Sequence, residues 1–127
     1  MSYLIVFLGA GIGGAGRHGM NMLALRLFGI GGFPFGTLAI NIVGSLLMGI
    51  AAEYFALRTG IPQQWRLFLT TGILGGFTTF SAFSLETALL LERGETLQAV
   101  FYALASTVVS VAALFCGLAL IRLAASG

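Results

Sequence analysis

The polar side chains of an otherwise apolar chain gather in one run, Thr70-Thr-Gly-Ile-Leu-Gly-Gly-Phe-Thr-Thr-Phe-Ser-Ala-Phe-Ser-Leu-Glu86, which holds three Gly, four Thr, two Ser, three Phe and one Glu. Gly75-Gly76 followed by two β-branched threonines weakens a helix. A break at membrane depth frees carbonyl oxygens, which either coordinate a hard cation or, in a plain kink, are satisfied by Ser and Thr hydroxyls. Phe80 and Phe83 lie three apart and share a helix face, with Ser81 and Ser84 as an adjacent polar stripe. Ring edges are positive and hydroxyls donate, so the two stripes can hold an anion; packing alone accounts for the same spacing. Asn41 adds amide N–H donors. Ser106 and Ser110, one turn apart with Tyr102 a turn before, form a further polar face. Donors of this kind suit an anion that has shed its water, and helix–helix hydrogen bonding explains the same Ser and Asn.

Two charges fall inside apolar runs. Glu86 is a functional candidate because an intramembrane carboxylate is costly, or it is a hydrated residue near the end of its span. Arg17 is either a snorkelling end residue or a fixed positive charge in an aqueous vestibule that attracts anions. His18 beside it has no second histidine at metal-ligand spacing. Gly9-Ala-Gly-Ile-Gly-Gly14 matches the dinucleotide-binding string, yet no acid follows before Glu53 and the intervening segment is helix-like, so a glycine-rich membrane helix fits better. Cys116 stands alone in an apolar run and reads as packing. No nucleophile–base pair or metal cluster supports an enzyme.

The elements that must carry these groups follow from the charges. Of 127 residues, 58% are hydrophobic and 8% charged, with mean hydropathy +1.04; the charged residues are six Arg and four Glu. Soluble domains carry about 25% charge, so lipid is the expected solvent. A net charge of +2 without any Lys leaves no basic stripe for nucleic acid. Spans need about 20 apolar residues, and the charges delimit four: 3–28, 34–58, 64–92 and 95–124, one transmembrane domain covering 1–127. Small-xxx-small pairs (Gly9/Gly13, Ala10/Gly14, Ser45/Gly49, Gly72/Gly76) predict close helix packing. Arg58, Arg66 and Arg122 fall on one side of the membrane, Arg26 and Arg93 on the other, with Arg17 if it snorkels. So balanced a count gives no orienting bias, which suits insertion in both directions and an antiparallel two-fold dimer.

Gly36-Thr-Leu-Ala-Ile-Asn41-Ile-Val-Gly44 and Gly75-Gly-Phe-Thr-Thr-Phe-Ser-Ala-Phe-Ser84 closely resemble the CrcB/Fluc family of fluoride channels. The resemblance extends over the chain through Gly9-Ala-x-x-Gly-x-x-x-Arg17, Glu86-Thr87 and the Ser106/Ser110 face. It implies an all-α membrane protein of four transmembrane helices, broken in the third and assembled as a dual-topology antiparallel homodimer in the inner membrane. It also implies two fluoride pores and a structural Na⁺ on the symmetry axis. By motif, the carbonyls of Gly75 and Thr78 would bind Na⁺ and the ring edges of Phe80 and Phe83 would line the pores. Asn41 would donate to fluoride, with Thr37, Ser81, Ser84, Glu86, Tyr102, Ser106 and Ser110 along the polar path and Arg17 as the vestibule charge. Ala82 replaces the Thr usual there and Phe77 a common Leu; neither is a matched ligand. A small multidrug-resistance-type proton-coupled exporter is the alternative, but it needs a buried Glu in the first span.

Overall fold

The computed structural model describes residues 1–29 and 33–126, and among them every regular element is helical. These are α1 (Ser2–Phe28), α2 (Phe35–Leu57), α3 (Gln63–Arg66), a π-helical segment (Leu67–Leu74), α4 (Gly75–Phe77), α5 (Phe80–Glu92) and α6 (Thr96–Ser126). Three stretches are long and apolar enough to cross a membrane: Phe35–Leu57, Gln63–Glu92 and Thr96–Ser126. At 1.5 Å per residue, the 23 residues of α2 exceed a hydrocarbon core about 30 Å thick. With 27 residues α1 is also long enough, but its glycines, Arg17 and His18 dilute its apolar content and it is not among the three.

Packing follows the small residues. The most extensive helix contacts are α2 with α6 and α1 with the π-helical segment. Gly49 and Gly117 sit backbone to backbone: a Cβ built on Gly49 would collide with the Leu114 carbonyl, and one on Gly117 with that of Leu46. Across the other seam, Gly9 lies against Gly72 and Phe68, and a Cβ on Gly13 would overlap the Ile73 carbonyl. Close approach substitutes for the hydrophobic effect, which lipid removes. Gly13→Val is expected to cost about 3 kcal/mol, read as a fall in the melting temperature of the purified protein; an unshifted melt would contradict this seam.

Two small apolar clusters anchor the interior. One joins Ala51 and Phe55 of α2 to Leu74; the other joins Leu90 of α5 to Ala99 and Tyr102 of α6. Many other large apolar side chains face outward, among them Tyr3, Phe80 and Leu97. For a chain of this composition the outside is apolar and the polar groups turn inward.

The third segment is irregular between Leu67 and Thr79 and α-helical on either side. Thr70 Oγ1 donates to the Arg66 carbonyl at 2.6 Å, the acceptor its own N–H would use in an α-helix. By the end of the π-helical segment the Gly75 N–H donates to the Thr70 carbonyl, five residues back. Helical backbone then stops: Thr78 (ψ 160°) and Thr79 (φ −152°, ψ 123°) are extended before α5 begins. The break thus falls where Gly75-Gly76 and the two threonines predict it.

Candidate functional site

A backbone break inside an apolar span must have its polar groups satisfied by neighbours. Asn41 does this from α2. Its Oδ1 accepts from the Thr79 N–H at 3.0 Å, and its Nδ2 donates to the Thr79 carbonyl at 3.2 Å. The donor and acceptor of one residue together fix which way the carboxamide points, and Nδ2 keeps a second N–H for another acceptor. Thr79, buried to 8% exposure, also caps α5: its Oγ1 accepts from the Ala82 N–H at 3.2 Å and lies 3.3 Å from Ser81 Oγ. One turn along α2, Gly44 makes room for the break, since a Cβ there would collide with the Thr78 methyl. Asn41 and Gly44 therefore occupy one helix face and meet consecutive residues of the break.

Toward the N-terminus of α2, Thr37 continues the same face and meets α5. Its Oγ1 donates to Glu86 Oε1 at 2.5 Å, and the Tyr102 hydroxyl of α6 donates to Glu86 Oε2 at 3.4 Å. Both oxygens of the intramembrane carboxylate are thus held by hydroxyls from two other helices. Tyr102 is fully buried. Its ring packs against Phe83 at 5.3 Å between centroids, and Phe83 against Phe80 at 5.5 Å, giving an aromatic file along α5 and α6.

A cavity of about 350 Å³ opens beside this file, lined by Asn41, Thr79, Phe80, Phe83, Ser106 and Ser110 among others. Among the described residues, no Arg, Lys, Asp or Glu lines it. Ser106 Oγ and Ser110 Oγ are buried and have no hydrogen-bond partner among the described residues. Orphaned buried hydroxyls carry a desolvation cost of about 1–3 kcal/mol each, so something that accepts or donates belongs beside them. Phe80, by contrast, is 77% exposed on the single chain.

Of the residues singled out from the sequence, Asn41, Phe80, Phe83, Ser106 and Ser110 converge on this cavity, while Thr37, Glu86 and Tyr102 form the adjoining hydrogen-bonded group. Ser81 and Ser84 are exposed or nearly so at the start of α5, and Ser84 Oγ donates to the Phe80 carbonyl at 3.0 Å, which turns it back onto its own helix. Arg17 lines neither this cavity nor the one against Glu86. Gly75 and Thr78 bracket the helix break. Because the Thr79 N–H goes to Asn41, the Gly75 carbonyl loses the donor an unbroken helix would supply. The Thr78 carbonyl precedes an extended residue. Freed peptide oxygens of this type are the ligands a hard monovalent or divalent cation takes. Thr79 was not legible as a site residue, although a Thr directly before an apolar helical run is an N-cap signal.

Comparison with known proteins gives a consistent answer. Residues 4–118 match the family model described as "CrcB-like protein, Camphor Resistance (CrcB)". A Granulibacter bethesdensis protein named "Fluoride-specific ion channel FluC" is 64% identical over 96% of this chain and 95% of its own length. "Fluoride-specific ion channel FluC 2" of Nitrobacter hamburgensis is 57% identical over 96% of this chain and 98% of its own length. A Methylobacterium nodulans relative, also named "Fluoride-specific ion channel FluC", is 57% identical over 96% and 97%. With the motifs of α2 and of the broken segment inside the matched region, the chain belongs to the CrcB-like family.

Proposed function

We propose that the protein is a fluoride-specific ion channel that lets F⁻ leave the cytoplasm passively across the inner membrane, lowering internal fluoride when acidic surroundings load the cell with HF. It is a membrane conductor, not an enzyme. One observation carries the reading: the unpartnered hydroxyls of Ser106 and Ser110 share a charge-free cavity with the spare N–H of Asn41 and with Phe80 and Phe83. Fluoride is the strongest hydrogen-bond acceptor among the halides. Neutral donors and ring edges replace part of its hydration without trapping it, the balance conduction requires. Thr37, Glu86 and Tyr102 continue the polar path, Ser81 and Ser84 flank it, and Arg17 acts at an aqueous approach.

In this reading two copies assemble antiparallel about a two-fold axis, all four long helical segments crossing the bilayer in each. Support comes from the balanced Arg, from the apolar exterior and from Phe80, whose exposed ring beside an open cavity suits cover by a second chain. Gly75 and Thr78 carbonyls would hold a Na⁺ at the break. The lone pairs of these carbonyls, with both chains contributing, would coordinate such a cation, which would supply an electrostatic tie between the two chains. Elemental analysis of protein purified into potassium buffer is expected to find one sodium per two chains; none would count against the cation site.

The cellular test is growth. A strain lacking its own fluoride export, given this gene, should grow at fluoride concentrations that stop the parent strain; unchanged sensitivity with the protein present in the membrane would contradict the proposal.

A further inference from the structure

A second cavity, of about 320 Å³, lies on the far side of the Thr37–Glu86–Tyr102 group. Thr37 and Glu86 line it, with Asn21 of α1, Gly36 of α2, and Leu89 and Arg93 at the end of α5. It shares no lining residue with the cavity of Ser106 and Ser110. A chain of side-chain contacts runs from one to the other: Phe83 lines the first and packs on Tyr102, Tyr102 donates to Glu86, and Glu86 lines the second.

Resting on the fluoride-channel reading, we infer that this second cavity is the opposite mouth of the conduction path, and that Arg93 gathers the anion there. The electrostatics demand such a group. Glu86 at the inner end is a carboxylate, and the C-terminal carbonyls of α5 add negative partial charge at the rim. Neither attracts an anion. Arg93 is the one cationic side chain lining the cavity among the described residues. Seven positions after Glu86, it stands on the same face of α5 two turns further out, at the C-cap and exposed. Asn21 supplies a neutral amide at the same mouth: a Cβ on Gly36 would lie 2.6 Å from Asn21 Oδ1, so the missing side chain of Gly36 is what admits the carboxamide. Arg17, one turn earlier on α1, does not reach this cavity. An antiparallel dimer would place such a mouth on each face of the membrane.

An exposed charge that works by attraction is screened by salt, with a Debye length of about 30 Å at 0.01 M and about 3 Å at 1 M. Fluoride efflux from vesicles of neutral lipid is therefore measured across added impermeant salt, with the full-length protein assembled as purified. At low ionic strength Arg93→Gln is expected to conduct about three- to tenfold more slowly than the unaltered chain, the gap closing at high salt. Arg93→Lys should restore the rate, and so should Arg93→Gln combined with Leu89→Arg, which moves the charge one turn inward. Equal rates at low salt, or a deficit that neither salt nor the two charge-restoring variants remove, would overturn the assignment while leaving the channel intact. Absence of fluoride efflux from the unaltered protein would instead sink the channel reading.

Discussion

Asn41→Asp is expected to abolish fluoride conduction in chains that still fold and assemble. The carboxylate can accept from the Thr79 N–H as Oδ1 does, so the helix break keeps one of its two side-chain bonds. It cannot donate to the Thr79 carbonyl, and it has no spare N–H for an anion. It also places a negative charge on a cavity that no charged side chain lines among the described residues. Two like charges 4 Å apart near a protein surface repel by about 4 kcal/mol, so efflux at neutral pH should fall at least about a hundredfold. Asn41→Ala separates the two roles, because it adds no charge but leaves both backbone groups of buried Thr79 unpaired. That variant should lose about 2 kcal/mol of stability as well as flux. An Asn41→Asp variant conducting at the original rate would show that the anion does not pass this cavity.

Phe83→Ile should lower flux at least about tenfold while costing little stability. Phe83 connects the file: it touches Phe80, packs on Tyr102 and lines the cavity. Isoleucine fills much of the space and keeps the contact with the Leu90, Ala99 and Tyr102 cluster, so the packing loss is about 1 kcal/mol. What it removes is the positive ring edge, which no aliphatic side chain supplies. Efflux measured together with thermal unfolding separates the two effects. A variant that conducts normally would reduce Phe83 to packing.

Much of this arrangement was legible before any fold was known, because membrane chains put their chemistry where composition is anomalous. Gly75-Gly76 and Thr78-Thr79 marked the break, and period-four spacing put Ser106 and Ser110 on one face. Other features depended on tertiary register. That Asn41 would clamp Thr79 from both sides follows only once Gly44 seats the break against α2. The Thr37–Glu86–Tyr102 group joins three helices, and no spacing within one element predicts it. The Ser84 hydroxyl bonds its own helix backbone, a pairing that its place in the polar stripe does not reveal. Nor did the sequence signal the π-helical segment, where a Thr side chain takes its helix's carbonyl.

The central claim is that a path of neutral donors and aromatic edges passes fluoride and rejects other anions. Its most direct test loads vesicles bearing the purified protein with equal fluoride and chloride and follows both with ion-selective electrodes after a potassium ionophore is added. Rapid, complete fluoride discharge with chloride retained is the predicted result; equal leakage of the two anions, or retention of both, would contradict it.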